Sequence, residues 1–187
     1  IEDLSNIEKI KSLQNDCYIA CETLINDIKD GKIDLSEKEI ATNYLLISQN
    51  GWTSFFPQNS TYDELISTGS MEIISSVNFR KSLTNTYTHL YERNLQISRT
   101  IDDFFLMSNS KLGPHFVIEY GTKQDEGYIY DDLVPISYKI DKEFYLSNTA
   151  ISDLLQAKKL IGNYLNLLEE YENSYLKLQL HAEEEIN

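Results

Sequence analysis

His89, His115 and His181 are the only histidines of the chain, and they fall in three different segments. Histidine is the usual general base and the commonest nitrogen ligand, so this supply limits the chemistry the side chains can do. A di-iron carboxylate bundle needs Glu-x-x-His on two helices together with further carboxylates. His89 with Glu92 and His181 with Glu184 carry that spacing in reverse order, and a chain with 30 acidic residues produces it readily by chance. Cys17 and Cys21 lie four apart in one predicted helix, with no third Cys, so they read as free, buried thiols rather than a redox pair, a bridge or half of a zinc site. Asp102-Asp103, Asp131-Asp132 and Glu169-Glu170 are the paired carboxylates. Acid–base work needs one of a pair held in a dry cleft, and adjacent residues on a helix diverge, so each pair reads as a solvated face. The sequence has no glycine-rich phosphate loop, GxSxG elbow or HExxH. These patterns name no catalytic residue, no metal ligand and no cofactor.

Recognition is better supplied. Tyr supplies rigid contact area and a hydroxyl at little entropic cost, and the middle of the chain is rich in it. Tyr120, Tyr128, Tyr130 and Tyr138 are the candidate contacts for a ligand or a protein partner, with Tyr145 nearby. Packing of the same rings over a helical bundle is the alternative. A second aromatic stretch, Trp52, Phe55, Phe56 and Pro57, is expected to tuck inward, and a patch for a partner is its alternative.

The elements that must position these residues follow from periodicity. With 187 residues the chain is long enough to bury one core without disulfides or metal, and we expect a single helical domain over 1–187. Apolar positions Ile7, Ile10, Cys17, Cys21, Leu24 and Ile28, with Gln14 in a polar slot, predict an amphipathic helix over 3–29 that Gly31 ends. Ser36 and Glu39 form a capping-box signature for a helix over 36–49. Thr61 with Glu64 repeats it for a short helix over 61–68, with Leu65 and Ile66 facing in. Asn78 then opens a long helix over 78–108, whose heptad seam is Leu83, Tyr87, Leu90, Asn94, Ile97, Ile101 and Phe104. Asn94 should fix register or find a partner on the facing helix. Residues 109–147 read as an irregular connection, with strand-like runs at 115–120 and 128–130, an irregular Val134-Pro135-Ile136 and a brief helical turn at 141–145. A final helix is expected over 148–184, capped by Ser147 or Asn148, with Gly162 marking a close contact. The fold class is thus all-α: an antiparallel bundle of three to four main helices, a short-helix knuckle and a long connection with room for a small β-hairpin.

The formal charge of −14 repels phosphate backbones and anionic lipid heads, which argues against nucleic acid as a partner. No run of about 18 apolar residues exists to span a bilayer. The chain begins on Ile1 without an initiator Met, so a targeting or anchoring segment upstream is expected.

TYDELISTGSMEII, followed after a short gap by NFRKSLTNTY, resembles a bacterial family, domain of unknown function 6090. Thr61, Tyr62, Glu64, Leu65, Ser67, Gly69, Ile73, Ile74 and Arg80 match its pattern, as does the preceding Phe56-Pro57. Phe79 stands where that family has Leu, and Tyr87-Thr88 where it has a Tyr pair. The resemblance implies a basic cytoplasmic start and one membrane-spanning helix before the soluble part, which places this chain on the periplasmic face of a Gram-negative inner membrane. No activity or catalytic residue is established for that family, so none carries over. The expected function is a non-enzymatic domain of a membrane-tethered protein that senses or binds a ligand or protein partner. A carboxylate- or metal-dependent enzyme and a self-associating structural module, a homo-oligomer, are the alternatives.

Overall fold

The computed structural model describes residues 2–29, 31–124 and 130–186, and only the backbone at 122–124, 130–132 and 186. Helix α1 (Glu2–Lys29) buries Ile7, Ile10, Gln14, Cys17, Cys21, Leu24 and Ile28 along its predicted stripe. Gly31, at φ 65°, takes the left-handed conformation that closes it. Beyond the turn, Asp27 Oδ1 accepts the N–H groups of Asp34 at 2.9 Å and Leu35 at 3.0 Å. The capping box forms as expected: Ser36 and Glu39 cap each other's backbone at the start of α2 (Glu37–Asn50).

The knuckle differs from the expectation. Helix α3 (Ser60–Ser67) starts at Asn59, so Thr61 lies within the first turn instead of capping it. Tyr62 is the residue α3 buries, while Ile66 is 53% exposed. Gly69, at φ 70°, turns the chain into a short tight helix at Ser70–Ile73. The cap of α4 (Val77–Thr84) is Ser76, whose hydroxyl accepts the Phe79 N–H, rather than Asn78.

Helix α4 runs without a break into a π-helical segment, Asn85–Leu90, and on into α5 (Tyr91–Leu112). Its buried line is Leu83, Thr86, Leu90, Asn94, Ser98, Ile101, Phe105, Ser108 and Leu112. That line repeats every 3.6 residues or so, the period of a straight α-helix, and drifts off the strict heptad seam. Tyr87, Ile97 and Phe104 are therefore only half-buried.

The connection over 109–147 is more regular than predicted. Strands β1 (Phe116–Gln124) and β2 (Tyr130–Ile140) pair antiparallel, with Phe116 opposite Ile140 and Ile118 opposite Tyr138. Val134, Pro135 and Ile136 belong to β2, and irregularities in register stand beside them. Phe116 and Ile140 are buried, and Phe116 stacks on Tyr44 of α2 with centroids 4.2 Å apart, which fixes the hairpin to the bundle. A short α6 (Lys142–Tyr145), capped by Asp141, leads to α7 (Asn148–Ile186). Helix α7 packs along α1, and a Cβ at Gly162 would stand 3.3 Å from the Tyr18 ring, the close contact expected there. The chain is mostly helical with a small hairpin, as its patterning implies.

Candidate functional site

The loop between α2 and α3 enters the bundle, and buried polar side chains hold its backbone. Gln14 Nε2 donates to the carbonyls of Asn50 at 3.1 Å and Thr53 at 2.9 Å. Asn94 Nδ2 donates to the Phe55 carbonyl at 2.8 Å, and the Phe55 N–H donates to the Tyr164 hydroxyl at 2.6 Å. A loop cannot satisfy its own backbone as a helix does, so each of these side chains replaces a hydrogen bond to water. The partner of Asn94 is thus the loop rather than a facing helix. Phe55 is 1% exposed as a result, whereas Trp52 and Phe56 stay at the surface, against the expectation that the whole aromatic stretch tucks inward.

Phe55 is one end of an aromatic column. Its ring meets Tyr171 edge-on at 5.3 Å, Tyr171 stacks on Tyr175 at 6.0 Å, Tyr175 meets Tyr87 edge-on at 6.0 Å, and Tyr87 stacks on Tyr62 at 5.1 Å. Such pairs favour offset or edge geometry because of the ring quadrupole. The column draws on the loop, α3, the π segment and α7. The π segment contributes Tyr87 and buries Thr86, whose hydroxyl lies 2.5 Å from that of Ser174 on α7. π-Helical insertions often accompany functional sites.

Where the column reaches the surface it forms a wall of a cleft of about 410 Å³ between the start of α1, α4, the π segment and the end of α7. Leu4, Leu83, Leu178 and Phe79 supply apolar surface, and Asp3, Gln58 and Gln179 supply polar groups. Asp3 is half-buried, and its Oδ2 accepts the Gln58 N–H at 3.4 Å. Its Oδ1 is sealed from solvent with no hydrogen-bond partner, and the same holds for the hydroxyls of Tyr171 and Tyr175. Asp3 and Tyr87 are near neighbours of the Tyr175 phenol, but neither completes a hydrogen bond of good geometry with it. Burial, followed by the negative surroundings, pushes the Tyr175 and Tyr87 phenols above their ordinary range. Both are neutral hydroxyls near pH 7, able to donate. A buried polar atom left unpaired costs about 1–3 kcal/mol.

The tyrosines singled out from the sequence lie elsewhere. Tyr120 and Tyr138 are both 37% exposed on the hairpin, and the Tyr120 hydroxyl donates to Gln49 Oε1 at 3.1 Å. Tyr130 opens β2 opposite Gln124, with its side chain outside the described atoms, and Tyr128 lies outside the described residues. The structure brings Tyr120 and Tyr138 onto one hairpin, and neither lines the cleft. Tyr145 is fully buried, with its hydroxyl 2.8 Å from Asp27 Oδ2. The cleft residues were read from sequence as core stripe or passed over. The available signal was Tyr in place of Leu at positions 87, 171 and 175, since a buried phenol needs a partner.

His115 Nδ1 lies 2.9 Å from Asp141 Oδ2, a pairing found in catalytic triads. Here the imidazole stacks flat on Phe144 at 3.6 Å while Asp141 also accepts the Phe144 N–H, which is the geometry of a helix start. Among the described residues no three His, Cys, Asp or Glu side chains gather closely enough to hold a metal ion, and no helix is long and apolar enough to cross a membrane. No family model matches the chain, and no curated protein or solved structure is matched either.

Proposed function

We propose that this chain is a non-enzymatic binding domain of a membrane-tethered protein, sensing a small ligand in the aromatic cleft beside Asp3. The observation that supports the reading is a cleft whose lining brings the Tyr87 and Tyr175 rings beside the half-buried Asp3 carboxylate and the side chains of Gln58 and Gln179. Ligand sites pair apolar walls with a few placed polar groups in this way, and the cleft volume of about 410 Å³ falls within their usual range. The tether, and with it a periplasmic setting, rests on the likeness of the segment from Thr61 to Arg80 to membrane-anchored bacterial proteins. Native mass spectrometry of freshly purified protein tests the ligand: a bound organic mass is expected, and it should be lost when Gln179→Trp fills the rim. A bound mass indifferent to that substitution would place the ligand elsewhere. Alkaline phosphatase fused after Asn187 in the full-length protein tests the tether, with activity expected only if this domain is exported.

One observation favours a second reading, self-association. Val117, Val134 and Ile136 of the hairpin are 57%, 54% and 65% exposed, and each strand has an unpaired edge in a two-stranded sheet. Sedimentation velocity separates the readings, since a monomer at all concentrations removes this one.

A further inference from the structure

We infer that the cleft takes an organic cation, its ammonium group set against Asp3 and its apolar body lying on Phe79, Tyr87 and Tyr175. The inference rests on the cleft being a ligand site and adds the class of ligand. Three features of the lining lead to it. Glu2 and Asp3 are the charged residues there, and among the described residues no Lys, Arg or His lines the cleft. The half-buried Asp3 carboxylate lines the cleft with the Tyr175 phenol beside it and a long 3.4 Å bond from the Gln58 N–H on Oδ2, and a partly buried anion gains from a cation bearing N–H donors. Tyr87, Tyr175 and Phe79 bring aromatic rings to the lining, and a ring's quadrupole attracts a cation and repels an anion at its face. An anionic ligand would be repelled by both carboxylates, and a neutral one would leave Asp3 without a countercharge. The net charge of −14 draws cations toward the surface from a distance.

The probe is 2-phenylethylammonium, compared with 2-phenylethanol and phenylacetate, which share its apolar body and differ in charge. Binding is followed by chemical-shift titration at about 0.15 M salt, where general attraction to an acidic surface is screened beyond about 8 Å. The ammonium compound should bind one site at least about tenfold more tightly than the alcohol, and the carboxylate should not bind. Asp3→Asn should remove the tenfold preference for the ammonium compound over the alcohol. Gln179→Trp, at an exposed helical position, should weaken both. Circular dichroism checks that each variant is folded. If ammonium and alcohol bind equally, are both displaced by Gln179→Trp and ignore Asp3→Asn, the cleft stands and the cation is wrong. If no probe shifts cleft resonances, the cleft reading falls and the inference with it. Ammonium binding that survives both substitutions would be adherence to the acidic surface and would also overturn the inference.

Discussion

Asn94 sits 1% exposed in an apolar line, with its amide nitrogen on the Phe55 carbonyl. Asn94→Ala would leave that carbonyl without its donor in the core. We expect a loss of about 1–3 kcal/mol from the seating of the loop, read as a lower urea midpoint in tryptophan emission. Gly51 gives a second residue-level prediction. Its φ of −62° suits any residue, but a Cβ there would clash with the Phe105 ring and stand 2.6 Å from the Ile47 carbonyl oxygen. Phe105 is 1% exposed and has little room to move, so Gly51→Ala should cost about 1–3 kcal/mol by overpacking in the same titration. Cys17 and Cys21 are fully buried, and burial pushes the Cys21 thiol up to about 12, with Cys17 raised further. Both should resist a chromogenic disulfide reagent at pH 8 in the native state and react once the chain is unfolded in denaturant.

At the scale of elements, the last turn of α7 is tied to the start of α4. The Glu185 carboxylate accepts the Ser75 N–H and, at 3.1 Å, the Ser76 N–H. Hydrogen bonds from the Ser75 side chain and backbone hold this carboxyl below its ordinary value of 4.5. A carboxyl whose pKa is lower folded than unfolded contributes in full above the unfolded value, and the contribution fades as pH falls through the folded value. Acidification from about pH 6 to about pH 3 should therefore reduce hydrogen-exchange protection at the end of α7 and the start of α4 before the bundle centre responds. Glu185→Gln should show the reduced protection at both pH values. How legible each element was depended on how local its determinants are. The box of Ser36 and Glu39, the stripe of α1 and the glycine stops at Gly31 and Gly69 depend on neighbours in sequence, and they were readable. The heptad seam through Tyr87, Ile97 and Phe104 extrapolated a rigid period across a segment where the helix takes its own, so Thr86, Ser98 and Phe105 became the buried positions. The hairpin is legible in the sequence, but its second strand extends through Val134, Pro135 and Ile136, where Pro135 and the register shifts interrupt the alternation that marks a strand.

For the whole molecule, a charge of −14 on a mostly helical chain implies self-repulsion in the folded state. Added sodium chloride should raise the melting temperature until the repulsion is screened, and a fall on salt addition would show that ion pairs such as Lys158 with Glu22 and Lys11 with Glu172 outweigh it. The fold class could be read in the sequence because periodicity specifies which faces are buried. The cleft could not, because Asp3, Tyr87 and Tyr175 come together only when the two ends of the chain meet, and no local pattern encodes that meeting. The loop that follows α2 carries the chain's only tryptophan, Trp52, with its indole N–H donating to the Gln49 carbonyl at 2.6 Å and 41% of its surface in water. Nature has thus placed the sole strong fluorophore of this protein on the segment that Gln14, Asn94 and Tyr164 clamp. Its emission colour and anisotropy report whether that clamp is shut while circular dichroism at 222 nm reports the helices. In Asn94→Ala the two optical signals should part, with the tryptophan released at a lower urea concentration than the helices unwind.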